Sequence, residues 1–176
     1  QPDRTSGRGR KVTMSAVKEY AISKNLRVLQ PQNFRKDLSQ IHILDSFKAD
    51  IAVVAAYGIL LPSEILDLLP HGCINLHPSL LPKYRGASPV STAILESEKV
   101  TGTTIMQLDS GMDSGPILAQ QETPIGEEEL CNELTEKLFY LGADLIVETI
   151  SKLAKGIIVP RQQDHENATY TKKLVR

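Results

Sequence analysis

ADIAVVAAYGILLPSEILDLLPHGCINLH, residues 49–77, places a helix-length segment between two short apolar runs. The first run, residues 49–58, is nearly continuous in Ala, Val and Ile, the pattern of a strand buried on both faces of a parallel sheet. Residues 62–69 fit a short helix and residues 73–77 a second buried strand. Strands alternating with helices call for an α/β fold with a mostly parallel sheet flanked by helices.

Outward from this stretch the alternation continues. Residues 13–25 have helical spacing, residues 27–29 read as a short strand, and residues 34–47 allow a weakly signalled helix. On the other side, residues 88–98 form a predicted helix with Pro89 near its first turn. Residues 103–108 and 116–125 read as strands joined by the turn DSGMDSG. Residues 127–155 carry the longest helical pattern, acidic at its start and ending on Lys152 and Lys155, which complements the helix dipole. An irregular polar tail is expected after Gly156.

A chain of 176 residues suffices for one domain with a real core and is too short for two ordinary ones. With 41% hydrophobic residues, 23% charged residues and a formal net charge of -1, it has the composition of a soluble globular protein. That balance argues against a strongly basic nucleic-acid binder but leaves room for a local basic patch. Cys73 and Cys131 have no metal or redox spacing and are expected as buried, reduced thiols. No apolar run approaches membrane-spanning length and the start has no signal-peptide core, so the expected location is cytoplasmic.

The chemistry concentrates where the second strand ends, in CINLHPSLLPKYRG, residues 73–86. Asn75 and His77 are two apart, so in extended chain both side chains leave one face. Pro78 cannot continue a central ladder, so pairing should stop where these two polar groups become available. In parallel α/β sheets, ligands sit outside the carboxyl ends of strands. Taken alone, the same residues also read as a turn-capping Asn and a structural His. The opening, with Arg4, Arg8, Arg10 and Lys11 among glycines, reads as a flexible basic loop. It lacks the GxxxxGK[ST] pattern of a nucleotide phosphate loop.

The ordered series QPDRTSGRGRK, AAYGILLP, CINLHPSLLPKYRGASP and TGTTIMQLDSGMDSGPIL resembles the folate-dependent formyltransferase family nearly end to end. The resemblance implies a Rossmann-like formyltransferase fold lacking its first strand–helix unit. Residues 1–176 would then be a catalytic domain truncated at its amino terminus, with a carboxy-terminal tRNA-binding domain absent. It implies transfer of the formyl group of 10-formyltetrahydrofolate to the α-amine of methionine on initiator tRNA, by a monomer that uses no metal. Asn75, His77 and Asp113 match the family's catalytic positions, and Asp109, four residues before Asp113, is the decoy. Such chemistry needs a donor to the carbonyl oxygen and a route for the amine's proton. Asn75 suits the first; His77 suits either, depending on protonation. A carboxylate at Asp113 would hold the His77 ring in one orientation.

By the same resemblance, Ser79, Leu80, Leu81 and Pro82 and the loop residues Tyr57, Gly58, Leu60 and Leu61 wall the folate pocket. Arg4, Arg8, Arg10 and Lys11 would engage tRNA phosphates. Arg85 reads either as a further contact near the site or as a structural ion pair. Alternative acceptors within the family are an amino-sugar nucleotide or glycinamide ribonucleotide, and a different class is a catalytically inactive folate- or RNA-binding fragment.

Overall fold

The β-branched run at residues 52–55 pairs with the strand that precedes Pro78, and this pair organises the rest of the sheet. The computed structural model describes residues 1–6, 11–34 and 39–174. An antiparallel hairpin of β1 (Arg4–Ser6) and β2 (Lys11–Thr13) is followed by α1 (Ala16–Ser23) and α2 (Ser39–Ser46). Then come β3 (Ala52–Ala55), the single-turn α3 (Ser63–Leu66), β4 (Cys73–His77), β5 (Arg85–Gly86) and α4 (Pro89–Leu95). Strands β6 (Val100–Gln107) and β7 (Ile117–Pro124), helix α5 (Cys131–Ala154) and the short β8 (Tyr170–Thr171) complete the order.

The α/β class expected from the alternation is observed, with a mixed sheet in place of a mostly parallel one. Its order is β3-β4-β6-β7. Strands β3 and β4 are parallel, with Ala52 opposite Cys73 and Ala55 opposite Leu76. The next two pairings are antiparallel. The reversal has a local cause: residues 78–99, including α4, return the chain to the end of the sheet that β4 has just left. Strand β6 therefore runs back along β4, with His77 opposite Thr104 and Ile74 opposite Gln107.

Burial on both faces belongs to β4 and β6 rather than to β3. Strand β3 lies at the sheet edge among the described residues, and Val53 is 49% exposed. Residues 27–29 are not a strand: they lack regular structure, and the adjacent Gln30 amide instead donates to the Gln1 carbonyl (2.8 Å) and Asp3 (2.7 Å). The basic opening is a hairpin rather than a loop in its described part. The tail after Gly156 is also more ordered than expected. Arg161 exchanges two backbone hydrogen bonds of 2.8 Å with Ile117, and β8 pairs in parallel with β5.

Helix α5 covers one face of the sheet through Leu134, Leu138, Gly142, Ile146 and Thr149, all buried and spaced three or four apart. Glu133 accepts from the Leu130 backbone N–H at 3.0 Å, capping the start of the helix. Ile74, Leu76, Ile105 and Ile146 form the core between helix and sheet. Gly142 is the point of closest approach: a Cβ there would lie 2.5 Å from Leu76 Cδ1 and 2.9 Å from Thr103 Oγ1. Gly142→Val is therefore expected to destabilise the domain by about 1–3 kcal/mol through overpacking. A thermal or urea melt tests it, and an unchanged or raised midpoint would refute the close-packing argument.

Of the two cysteines, Cys73 is buried and Cys131 is exposed, so the expectation of two buried thiols fails for the second. Cys131 is the first residue of α5 on its outer side, with Sγ 3.2 Å from Ser91 Oγ. Burial pushes the Cys73 thiol up from its ordinary pKa, which keeps it protonated and unreactive. Among the described residues, no helix is long and apolar enough to cross a membrane.

Candidate active site

Strand alternation sends Ile74 and Leu76 toward α5, so Asn75 and His77 face the opposite side of the sheet. Asn75 is half-buried, and its side-chain amide has no hydrogen-bond partner among the described residues. His77 is only 4% exposed. Its Nε2 lies 2.9 Å from the Tyr84 carbonyl, and a carbonyl can only accept, so Nε2 carries the hydrogen. The nitrogen left for chemistry is Nδ1, which sits 3.7 Å from Asp113 Oδ2. The tautomer is thus set by main chain rather than by a carboxylate.

Tyr84 reaches this carbonyl geometry from a left-handed backbone, with φ at 61°. Its ring is tied down by a 2.6 Å hydrogen bond from the hydroxyl to Glu98 Oε1, and Lys83 Nζ lies 3.3 Å from the same oxygen. Burial first, and the Glu98 carboxylate second, push the Tyr84 hydroxyl up to about 12. The hydroxyl therefore stays a donor across the physiological range, and the tie that aims the Tyr84 carbonyl at His77 persists with it.

The two aspartates of DSGMDSG occupy different environments. Asp109 closes a turn on itself, accepting from the Gly111 N–H at 3.0 Å and from the Ser114 hydroxyl at 2.8 Å. Asp113 instead has φ at 48°, a conformation that Asp tolerates better than most residues, and this turns its carboxylate inward. Its Oδ2 accepts the Gly86 backbone N–H at 2.8 Å while facing His77. Because β6 runs antiparallel to β4, the loop after β6 leaves the far end of the sheet and folds back over the face. The pair therefore sits on a sheet face under a returning loop, not at a common carboxyl edge.

Residues 79–82 are held on the same face by the sheet itself. Thr104 Oγ1 donates to the Ser79 carbonyl (2.6 Å) and accepts from the Leu81 N–H (3.2 Å), while Gln120 Nε2 donates to the Leu81 carbonyl (2.8 Å). The side chains of Ser79 and Leu81 point into the protein: Ser79 Oγ donates to the Lys83 carbonyl, and Leu81 packs on Met106 and Ile117. Leu80 and Pro82 are half-buried, and the Leu81–Pro82 peptide is cis. In the neighbouring loop, Tyr57 and Leu61 pack against the cluster of Phe34, Ile65 and Cys73, whereas Leu60 is 81% exposed and Gly58 has φ at 66°. Parallel pairing of β3 with β4 brings this loop beside His77 and Pro78. Of the eight wall residues expected from the sequence, Leu60 has the exposed side chain and Gly58 an exposed backbone, while Leu80 Cδ2 lies close over Gly102.

The Gln1 side chain donates to the Tyr57 carbonyl, joining the basic hairpin to the Tyr57 loop. Arg4 is exposed on β1 and Lys11 begins β2. Arg8 and Arg10 lie outside the described residues, as does the side chain of Lys11. Arg85 is not on the surface. It is 1% exposed, and its guanidinium meets Gln163, Tyr170 and His165, with no carboxylate among its described partners. Sequence reasoning missed the Gly86 N–H, the Tyr84 carbonyl and Gln163. Two of these are main-chain groups with no residue signature, and the third lies 50 residues from the aspartate loop it touches.

Relatives share both this arrangement of elements and much of the sequence. The chain is 47% identical over 174 residues to a methionyl-tRNA formyltransferase of Thermodesulfovibrio yellowstonii, a match that covers 99% of this chain and 56% of that protein. It spans about half the length of the curated relatives it matches. Among solved structures it is similar to phosphoribosylglycinamide formyltransferase from Bacillus halodurans, with a TM-score of 0.70, 32% identity, and coverage of 78% of this chain and 74% of that one. It is also similar to the formyltransferase PseJ from Anoxybacillus kamchatkensis, solved with UDP-4,6-dideoxy-4-formamido-L-AltNAc and tetrahydrofolate. There the TM-score is 0.69 at 27% identity, covering 88% of this chain and 79% of that one. A model of the formyl transferase family matches residues 1–150, the span that holds Asn75, His77 and Asp113, and the chain belongs to that family.

Proposed function

We propose that residues 1–176 are the catalytic domain of an enzyme that moves a formyl group from 10-formyltetrahydrofolate to the α-amine of methionine on initiator tRNA. The observation that carries the reading is a half-buried Asn75 amide without a partner among the described residues, on the same face as the His77 Nδ1–Asp113 pair. That amide is not sealed from solvent, so its N–H groups are open to a ligand on this face. The donor fits this face through its flat rings, which match the exposed Leu60 beside the exposed backbone of Gly58. When bound, the folate supplies an electrophilic formyl carbon.

Asn75 Nδ2 donates to the formyl oxygen, where negative charge develops as the amine attacks. His77, with Nε2 committed to the Tyr84 carbonyl, acts through Nδ1, which takes the proton released by the attacking nitrogen and returns it to the folate nitrogen as the bond from that nitrogen to the formyl carbon breaks and tetrahydrofolate leaves. Asp113 faces the protonated ring and balances its charge, while the Gly86 N–H keeps the carboxylate from swinging away.

Support for the acceptor comes from 45–49% identity with methionyl-tRNA formyltransferases, against 32% with the phosphoribosylglycinamide formyltransferase of Bacillus halodurans. The exposed Arg4 on a basic hairpin beside the Tyr57 loop suits a phosphate backbone. The test is to assay the intact protein with 10-formyltetrahydrofolate and, separately, methionyl initiator tRNA, glycinamide ribonucleotide and an amino-sugar nucleotide. Formylated product with the charged tRNA alone is expected; product with a small acceptor alone would overturn the acceptor. Neutralising Arg4, Arg8 and Arg10 should weaken tRNA binding and flatten its salt dependence by roughly 0.7–0.9 log units per log unit of salt for each phosphate no longer neutralised. An unchanged slope would remove the hairpin from the tRNA interface.

A further inference from the structure

Beyond the matched family span, residues 161–171 are bound to both loops that form the candidate site. Thr169 accepts the Arg85 N–H on its carbonyl and the Tyr84 N–H on its hydroxyl, each at 2.8 Å. Thr171 Oγ1 donates to the Arg85 carbonyl and accepts the Ser88 N–H, both at 3.0 Å. Deeper in the same segment, Gln163 is 5% exposed and uses its whole amide. Its Nε2 donates to the Asp113 carbonyl at 2.9 Å and to the Gly115 carbonyl at 2.7 Å. Its Oε1 accepts from Arg85 Nε at 3.1 Å and from Arg85 Nη2 at 2.7 Å.

We infer that Gln163 is a positioning residue for Asp113, holding the aspartate loop against the buried Arg85 so that the carboxylate stays between the Gly86 N–H and His77. Only a side-chain amide satisfies both ends, since the arginine needs an acceptor and the two carbonyls need donors. The demand at each end is high. Arg85 is fully buried with no carboxylate among its described partners, so a strong neutral acceptor is required there. Asp113 sits at positive φ, a conformation that persists only when its surroundings over-determine it. Gly115 adds to that fixation, because a Cβ there would lie 1.9 Å from the Gln107 carbonyl oxygen. The Asp113 carboxylate is thus set from three directions: by Gly86 at the side chain, and by Gln163 and the crowding at Gly115 along the loop.

The inference rests on the formyl-transfer reading, and Q163E in the intact protein separates the two. Glutamate still accepts from Arg85, now with opposite charge, but presents oxygen to the Asp113 and Gly115 carbonyls. A side chain that merely satisfied Arg85 would be replaced without loss. Assayed below its melting transition, Q163E is expected to keep its KM for donor and acceptor while kcat falls about 100-fold, the scale of a small misplacement of a reacting group. Amide hydrogen exchange at Gly86, whose N–H bonds Asp113, is expected to accelerate in Q163E and in Q163L, a readout independent of turnover. A kcat within about twofold of wild type, or a loss confined to KM, overturns the inference; so does unchanged Gly86 protection in both variants. Faster Gly86 exchange in a protein whose wild type transfers no formyl group upholds the positioning role and refutes the functional reading.

Discussion

Asp113→Asn is expected to lower kcat by about 100- to 10,000-fold, the range lost when a positioned acid–base group is removed. The substitution isolates chemistry from structure. Asn tolerates the positive φ found at this position nearly as well as Asp, and its amide oxygen can still accept the Gly86 N–H. What disappears is the negative charge 3.7 Å from His77 Nδ1. Steady-state formylation kinetics together with a thermal melt check the outcome. A variant that melts like wild type but loses turnover assigns the charge to the reaction, whereas turnover within tenfold of wild type would return Asp113 to the role of a turn residue. Asp113→Ala should lose activity similarly and also lose stability, because alanine gains nothing from the left-handed conformation.

The second large effect belongs to Asn75. Removing one donor to a developing oxyanion costs about 100- to 1,000-fold in kcat, and Asn75→Ala is expected to fall in that range. The same change should leave the melting midpoint unchanged or raise it. The Asn75 amide makes no hydrogen bond to the described residues, so alanine removes a half-buried polar group without breaking a bond within the fold. Parallel measurement of kcat and melting midpoint decides between the readings. A clear fall in stability would mean that the amide is held by the fold, and unimpaired turnover would remove Asn75 from the oxyanion site.

The parts of the sequence that read correctly share one property, which is that their information is local. The pattern of residues 73–77 predicts β4 with its observed bounds, and the alternation places Asn75 and His77 on one face before any packing is considered. Helix α5 announces itself through a four-residue apolar spacing and oppositely charged ends. Where local pattern misled, a tertiary relation was responsible. The apolar run at β3 matches a doubly buried strand, yet its edge position leaves Val53 half-exposed. The direction of β6 depends on which end of the sheet the chain re-enters, and that is decided by the path of residues 78–99. The motif marks Ser79 and Leu81 as pocket walls, but Thr104 and Gln120 hold the loop so that both side chains turn inward.

By itself, the sequence determined the α/β class, the family, and the placing of Asn75 and His77 on one face of β4. These depend on residue type, spacing and similarity, all of which survive in one dimension. Tertiary structure decided how that chemistry is aimed: which imidazole nitrogen is free, why Asp113 rather than Asp109 faces it, and how a tail outside the matched family span ties the aspartate loop to a buried arginine. The physical reason is that orientation here is set by main-chain carbonyls and amides and by one glutamine far along the chain. Such groups acquire directional meaning only when folding brings their donors and acceptors within hydrogen-bonding distance.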